Sequence, residues 1–203
     1  MIVGPTATGK STLMNQVCAV DPRFQRVKSF TTRQPRANDE PDQYFYLTPE
    51  KLDEHLGTGD VITDVTLPGT NLHYGTLTES YPGDYNLLDT LAGSVATYRN
   101  LPFYQTATVS LTSDPVAWAE WLVQRYPEPS EHRTKRLEEA RMSIDWSLKQ
   151  TQNHYWLTNI PGDLETTTQQ LIQIATGQVK PSESNPPSAV AMLDTVNHLL
   201  SLG

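Results

Sequence analysis

The first residues that could do chemistry form a glycine-rich turn near the start of the chain. Residues 4–11 read Gly-Pro-Thr-Ala-Thr-Gly-Lys-Ser and match the pattern G-x-x-x-x-G-K-[ST], between a very short apolar strand and a helical pattern. Such glycines let backbone N–H groups converge on phosphate oxygens at a helix N-terminus, and the lysine adds a mobile positive charge. The serine hydroxyl supplies one oxygen to a Mg²⁺ ion that keeps most of its waters. The residues expected to bind the nucleotide are Gly4, Thr6, Ala7, Thr8, Gly9, Lys10, Ser11 and Thr12.

A basic segment then follows within an acidic chain. The 203 residues include 15 Lys and Arg against 23 Asp and Glu, which gives a net charge of −8. Between Lys10 and Arg36, however, six basic residues are accompanied by Asp21 alone. The overall charge argues against a protein that coats nucleic acids, whereas the local excess of positive charge predicts an anion ligand. Arg33 and Arg36 lie three residues apart, so a turn can aim two guanidinium groups at one phosphate.

Four ordered motifs resemble those of the guanylate kinase family. The segment Ser-Phe-Thr-Thr-Arg-Gln-Pro-Arg at residues 29–36 is similar to the one with which these kinases hold their nucleoside monophosphate. Tyr44, within Asp-Gln-Tyr-Phe-Tyr at residues 42–46, resembles the tyrosine of the family's D-Y-x-F, and residues 74–76 match its Y-G-[ST]. The glycine-rich loop also resembles that of the tRNA dimethylallyltransferases, but the motifs after it favour the kinases.

The resemblance implies a site for the acceptor nucleotide. The glutamate with which the family reads guanine falls on Thr63 or Asp64, depending on where an insertion is placed, and we choose Asp64 because it retains a carboxylate. The family's D-x-D is reduced to Leu88-Asp89-Thr90, so Asp89 alone is carried over, for the acceptor base or for the water shell of the metal. The implied acceptor-binding residues are Ser29, Arg33, Arg36, Tyr44, Asp64, Tyr74, Thr76 and Asp89.

Two arginines resemble the mobile lid of the family. Arg125 ends one predicted helix and Arg136 lies near the start of the next, so both would close over the ATP phosphates. Arg133 and Arg141 are alternatives, because Arg133, Arg136 and Glu139 can equally form ion pairs along a helix.

The resemblance further implies an activity. Asn159 matches the family's asparagine near the adenine of ATP. The implied reaction is ATP + GMP giving ADP + GDP, with dGMP as a plausible acceptor, ATP and Mg²⁺ as cofactors, and small molecules as the only substrates. No protein base is needed, because the second pKa of the acceptor phosphate is about 6. The implied catalytic residues are Lys10, Arg33, Arg36, Arg125 and Arg136.

Strand and helix patterns alternate along the chain and must position these residues. Strands are predicted at 1–3, 44–46, 61–67, 74–77, 85–91, 106–111 and 155–157, and helices from about residues 11, 49, 115, 130 and 164. The resemblance implies an α/β fold over residues 1–177, namely a three-layer P-loop kinase core with a parallel sheet. An inserted mixed α+β acceptor-binding subdomain occupies about 29–82, and a small helical lid occupies about 121–136. Residues 178–203 are predicted to form a linker and an amphipathic helix.

Composition excludes several other classes. The single cysteine, Cys18, rules out a disulfide framework and a multi-cysteine metal site, and the five histidines lack metal-binding spacing. Because no secretory pattern and no apolar run of about 18 residues occurs, we expect a cytoplasmic protein without a membrane partner. We further expect a monomer or a homodimer. Three alternatives remain: a kinase of the same fold acting on another acceptor, a guanylate-kinase-like binding module without turnover, and a tRNA dimethylallyltransferase.

Overall fold

The computed structural model of the chain describes residues 1–36, 39, 44–66 and 69–202. Within these ranges the strands are β1 (Ile2–Val3), β2 (Phe24–Arg26), β3 (Ser29–Thr31), β4 (Tyr44–Tyr46), β5 (Val61–Thr66), β6 (His73–Leu77), β7 (Tyr85–Leu87), β8 (Thr108–Ser113) and β9 (His154–Asn159). The helices are α1 (Lys10–Val20), α2 (Pro49–Thr58), α3 (Val95–Arg99), α4 (Pro115–Arg125), α5 (Glu131–Leu148), α6 (Leu164–Ala175) and α7 (Pro187–Ser201). None of these helices combines the length and apolarity needed to cross a bilayer.

The chain divides into two compact units. Unit 1 comprises Met1–Asp21 and Asp89–Gly203, and unit 2 comprises Pro22–Leu88. In unit 1 the parallel strands have the order β1-β8-β9, and a further parallel bridge joins Ile2 to Asp89. Helix α1 packs with α6, while α4 and α5 pack with α7. Unit 1 is therefore the three-layer core with a parallel sheet that the motifs predicted.

Strand β8 is buried along its whole length although four of its six residues carry hydroxyl groups. Ser110 Oγ donates a hydrogen bond to Ser147 Oγ of α5 (2.6 Å), and Thr112 Oγ1 lies 3.2 Å from Ser188 Oγ of α7. A buried hydroxyl costs little when it is bonded to another polar group. These contacts align α5 and α7 on one face of the sheet.

The C-terminal segment is part of the core of unit 1. The backbone N–H of Ser182 donates to the carbonyl of His154, and the N–H of Trp156 donates to Ser182 Oγ, so this segment runs along β9. Helix α7 then buries Met192 and Val196 in one apolar cluster with residues of α4 and α5, which are Trp118, Leu122, Leu137, Ala140 and Ile144. The predicted amphipathic helix is confirmed, whereas a domain boundary at residue 177 stays a prediction.

Unit 2 contains a mixed sheet and one long helix. Its strands have the order β4-β3-β6-β5, with β3 and β4 parallel and the other neighbours antiparallel. Phe30, Leu52 of α2 and Leu77 form the core between this sheet and the helix. Strands β2 and β7 form a separate parallel pair. The predicted mixed α+β insertion is confirmed.

Local capping explains why most predicted helices start where expected. The side chain of Asp114 accepts hydrogen bonds from the N–H groups of Val116 and Ala117 at the start of α4. Ser130 and Asp163 cap α5 and α6 in the same way.

Other boundaries differ from the sequence prediction. Strand β7 ends at Leu87 rather than residue 91, and β8 starts two residues later than predicted and extends to Ser113. Strands β2 and β3 and helix α3 were not predicted, because elements of three to five residues carry too little periodicity to recognise. The one cysteine, Cys18, is partly buried. Leu67 and Pro68, at the end of the predicted strand 61–67, lie outside the described residues.

The packing of α7 leads to a prediction about stability. Met192→Ala should lower the free energy of unfolding by about 2–5 kcal/mol, because it leaves a cavity in a fully buried cluster. Val190→Ala, on the half-exposed face of the same helix, should change it by less than about 0.5 kcal/mol. Urea unfolding curves of the two variants measure the difference. Equal stability of the two would show that α7 does not contribute to the core.

Candidate functional site

The glycine-rich loop joins β1 to the N-terminus of α1. Gly9 caps the helix with a φ of 86°, and a Cβ atom there would lie 2.6 Å from the side-chain nitrogen of Asn159. Only glycine combines this backbone conformation with such close approach. The first turn of α1 contains Lys10, Ser11 and Thr12 and has no acidic side chain. The helix dipole and Lys10 therefore make this end of α1 attractive to an anion.

Two buried side chains hold the glycine-rich loop in place by hydrogen bonds to its backbone. Trp118 Nε1 donates a hydrogen bond to the carbonyl of Thr6 (2.8 Å), and Asn159 Nδ2 donates to the carbonyl of Thr8 (2.9 Å). Within the loop, Thr8 Oγ1 donates to the carbonyl of Pro5 (2.8 Å). Asn159, which the resemblance assigned to the adenine, thus contacts the backbone of the phosphate-binding loop. The sequence alone does not reveal the role of Trp118. A tryptophan that bonds the loop backbone has the same spacing in the sequence as any other core residue of an amphipathic helix.

Lys10 and Asp89 stand close together beside this loop. Lys10 Nζ donates to the carbonyls of Gly4 (2.9 Å) and Pro5 (3.0 Å) and lies 4.0 Å from Asp89 Oδ1. The bridge between Asp89 and Ile2 fixes that carboxylate next to the strand that leads into the loop. Of the two roles left open for Asp89, this position favours the water shell of a metal. Among the described residues no three His, Cys, Asp or Glu side chains form a metal cluster.

The predicted lid residues flank the connection between α4 and α5. Arg125 is exposed at the end of α4, with its guanidinium 5.9 Å from the ring centre of Tyr126. The Tyr126 hydroxyl lies 3.4 Å from Thr6 Oγ1 of the loop. Arg136 Nη1 donates to Glu139 Oε2 (2.7 Å), the ion pair considered as the alternative to a lid role. Arg133 and Arg141 belong to the same helix, α5, and the choice among the four arginines stays a prediction.

In unit 2 the strand register collects four of the eight acceptor-binding candidates on one face of the mixed sheet. Ser29 is paired with Tyr44, Thr31 with both Tyr46 and Tyr74, and Thr63 with Thr76. Because directly opposed residues of neighbouring strands share a face, these side chains form one surface. The opposite face carries Phe30 and packs on α2. We call the first surface the hydroxyl face; its members are Ser29, Thr31, Tyr44, Tyr46, Thr63, Tyr74 and Thr76.

Arg33 follows β3 and is buried against this face. Its guanidinium carbon lies 5.0 Å from the ring centre of Tyr44, and the Tyr44 and Tyr74 rings are 6.3 Å apart. The structure therefore brings together three of the residues assigned to the acceptor phosphate. The side chain of Arg36 is exposed, and its backbone N–H is the part that joins the cluster. Asp42 and Gln43 of the tyrosine motif lie outside the described residues.

Asp39 completes this cluster. Its two carboxylate oxygens accept hydrogen bonds from both terminal nitrogens of Arg33, each at 2.7 Å. The Arg36 N–H (2.7 Å) and the Tyr46 hydroxyl (2.5 Å) donate to Oδ2 as well. The hydrogen bonds from Arg33 hold the pKa of the Asp39 carboxyl well below its usual range, with a smaller contribution from Tyr46. The same pairing raises the pKa of Arg33.

The sequence contained signals for both missed residues of this cluster. Asp39 lies six positions after Arg33, within reach of its guanidinium. Tyr46 lies two positions after Tyr44, so strand alternation places the two rings on the same face.

The two candidates for reading the base lie on opposite faces of the β5–β6 pair. Thr63 Oγ1 is 2.8 Å from Thr76 Oγ1, and the Tyr81 hydroxyl donates to the same Thr76 oxygen (2.9 Å). Asp64 is opposed to Gly75 and contacts His73 Nδ1 at 2.9 Å, away from the hydroxyl face. A Cβ at Gly75 would overlap the Thr63 carbonyl oxygen, which accounts for the glycine of Tyr-Gly-Thr. Because adjacent residues of a strand point to opposite faces, Thr63 shares a face with Tyr74 and Thr76 and Asp64 does not. The choice of Asp64 as the guanine reader stays a prediction.

A glycine-rich loop at a helix N-terminus, with a lysine in the first turn and a parallel sheet beneath it, defines unit 1 as a P-loop nucleotide-binding fold. No family model matches the chain. It is 27% identical to guanylate kinase of Corynebacterium efficiens over 154 residues, covering 71% of this chain and 79% of the relative. It is 25% identical to that of Corynebacterium diphtheriae over 155 residues, covering 71% and 78%.

A solved structure agrees with these relatives. Guanylate kinase from Anaplasma phagocytophilum matches with a TM-score of 0.55 and 17% identity, over 88% of this chain and 85% of that one. The chain is therefore similar in sequence to guanylate kinases over 71% of its length, and it shares their fold.

The contact of Asn159 with the loop leads to a prediction about nucleotide binding. Asn159→Ala should weaken binding of ATP and GTP to a similar extent, by about fivefold to tenfold, because it removes a buried hydrogen bond worth about 1 kcal/mol from the loop backbone. Calorimetric titration with each nucleotide in the presence of Mg²⁺ measures this. Gln169→Ala, at an exposed position of α6, is the control. A loss confined to ATP would instead support the contact with adenine that the resemblance implied.

Proposed function

We propose that this protein transfers the γ-phosphoryl group of ATP to a nucleoside monophosphate, with GMP or dGMP as the acceptor. The observation that carries the proposal is the convergence of Arg33, the Arg36 N–H and the Tyr46 hydroxyl on a single anionic group in unit 2. This anion-binding cluster is additional to the phosphate-binding loop of unit 1. A kinase acting on a phosphorylated acceptor needs two such sites, whereas a simple nucleotide hydrolase needs one.

The choice of acceptor is supported by the relatives, which are named guanylate kinases. The reaction is then ATP + GMP giving ADP + GDP, and dGMP is included because we identify no residue that reads the 2′-hydroxyl. A kinase of the same fold with another acceptor is the second candidate, since Asp64, the carboxylate expected to read guanine, faces away from Thr76.

The chemistry proposed for these residues is positioning and charge compensation. The acceptor phosphate, with a second pKa of about 6, is largely a dianion at neutral pH and needs no protein base. What opposes reaction is the repulsion between two anionic groups, which Lys10, Arg33, Arg36 and the lid arginines Arg125 and Arg136 would offset. Closure of the lid would exclude water that could otherwise hydrolyse ATP.

The residues beside the loop fit a Mg²⁺ ion. Ser11 offers a hydroxyl in the first turn of α1, and the Asp89 carboxylate lies beside Lys10. One or two protein oxygens suffice for Mg²⁺, which otherwise keeps its waters and binds phosphate oxygens. When bound, the ion neutralises charge on the β- and γ-phosphates.

An ADP-release assay tests the reaction across GMP, dGMP, AMP, UMP, CMP and dTMP. Lys10→Ala and Arg36→Ala should each lower kcat/KM for the best acceptor by at least about tenfold, or about 1.4 kcal/mol of transition-state stabilisation. Lys51→Ala removes a charge at an exposed position of α2 and should leave the rate unchanged. Near-normal turnover of Lys10→Ala would contradict the phosphoryl-transfer role. The absence of ADP release with every acceptor would favour a binding module, and labelled prenyl diphosphate appearing in RNA would favour the transferase.

The faces of the β5–β6 pair lead to a prediction about base selection. Thr63→Ala should change the ratio of kcat/KM for GMP and AMP by about tenfold. A single hydrogen bond that is made to one base and not to the other changes this ratio by about that factor. Asp64→Ala should change the ratio less, because its side chain faces away from the other candidates. The same assay measures both variants. If Asp64→Ala changed the ratio more than Thr63→Ala, the Asp64 carboxylate and not Thr63 would be the group that recognises guanine.

A further inference from the structure

The carboxylate of Asp39 accepts hydrogen bonds from every donor of the cluster around Arg33. Four hydrogen bonds of 2.5–2.7 Å converge on its two oxygens, from the Arg33 fork, the Arg36 backbone and the Tyr46 hydroxyl. The side chains of Arg33 and Asp39 are 7% and 13% exposed, so this pair is largely shielded from water. It therefore cannot be treated as an ordinary surface ion pair.

These donors suit a phosphate as well as they suit a carboxylate. A guanidinium group forms two parallel hydrogen bonds to either anion, and a backbone N–H and a phenol donate to both. A phosphate monoester has three free oxygens and a charge between about −1.5 and −2 at pH 7, against −1 for a carboxylate. Each donor hydrogen can serve one acceptor at full strength, so Asp39 and a phosphate compete for them.

We propose that Asp39 is an internal competitor for the acceptor phosphate, and that Tyr46 is one of the residues that bind this phosphate. The inference deepens the proposed function and rests on it for the identity of the acceptor. Asp39 holds the donors until the acceptor phosphate displaces it. Asp39 thereby keeps the Arg33, Arg36 and Tyr46 donors in place while no phosphate is bound. An anion with a single negative charge gains little by displacing a carboxylate of equal charge, whereas a phosphate dianion gains more.

Competition by Asp39 predicts the direction in which its removal changes the affinity for phosphate. When a site is open for only a fraction of the time, its apparent dissociation constant rises by the inverse of that fraction. If Asp39 holds the donors for about nine-tenths of the time, its removal strengthens phosphate binding about tenfold. A residue that merely positions Arg33 has the opposite effect, because its loss leaves the guanidinium disordered and weakens binding.

The experiment compares Asp39→Asn with wild type by calorimetry, using GMP and inorganic phosphate as separate probes without ATP. The asparagine keeps the shape of the side chain and removes its charge. We expect both probes to bind about tenfold more tightly. Asp53→Asn neutralises an exposed carboxylate of α2 and should leave both affinities unchanged. Unchanged or weaker binding by Asp39→Asn overturns the proposal, and Asp39→Ser repeats the test if the asparagine variant does not fold.

Tyr46 is tested in the Asp39→Asn background, where the competitor is gone. Tyr46→Phe should there weaken binding of GMP and of inorganic phosphate by at least about threefold and leave guanosine binding unchanged. If the Asp39→Asn protein bound GMP and inorganic phosphate equally well with Tyr46 and with Phe at this position, Tyr46 would not be a phosphate-binding residue.

The outcomes separate this inference from the proposed function. Tighter phosphate binding by Asp39→Asn, without phosphorylation of any nucleoside monophosphate, would leave the competitor role intact and refute the kinase. Normal phosphorylation of GMP, with unchanged affinities in Asp39→Asn, would refute the competitor alone.

Discussion

The need to hold negatively charged oxygens with converging donors governs both units of this protein. Phosphate groups repel one another, and they can be bound side by side only if N–H groups and cationic side chains compensate their charge. Unit 1 provides such compensation at the N-terminus of α1, where Lys10 and the helix dipole act together. Unit 2 places the Arg33 guanidinium, the Arg36 N–H and the Tyr46 hydroxyl around one carboxylate, that of Asp39. The pairing of Arg33 with Asp39 follows from the same physics, since a buried guanidinium group requires an anionic partner.

Much of unit 1 serves to hold the phosphate-binding loop in place. Ala7 has a φ of 65°, a conformation that costs a non-glycine residue about 1–2 kcal/mol, and it packs against the apolar cluster of α4, α5 and α7. Trp118 and Asn159 bond two carbonyl groups of the same loop. Packing and hydrogen bonds together thus maintain a backbone that the local sequence alone does not favour. The C-terminal helix takes part through Met192 and Val196, so a segment remote in sequence supports the loop indirectly.

The register of one strand pair decides which candidate for reading the acceptor base lies on the hydroxyl face. Thr63 lies on the hydroxyl face with Thr76, and Asp64, one residue further, lies on the other face beside His73. A shift of one residue exchanges the two faces completely, so an insertion in the connecting turn would decide which of the two side chains lies on the hydroxyl face. The hydroxyl face combines groups that both donate and accept hydrogen bonds, and it is therefore compatible with more than one base.

The sequence by itself determined the features that depend on neighbouring residues. The glycine-rich loop, the cap at Asp114 and the helix at residues 164–175 follow from local patterns, and the structure confirms each of them. Only the tertiary structure decided which residues distant in sequence meet. Asn159 contacts the loop across 151 positions, and the face taken by Asp64 depends on pairing with β6. Local periodicity carries no information about such partners, because strand register and long-range hydrogen bonds arise from packing of the whole chain.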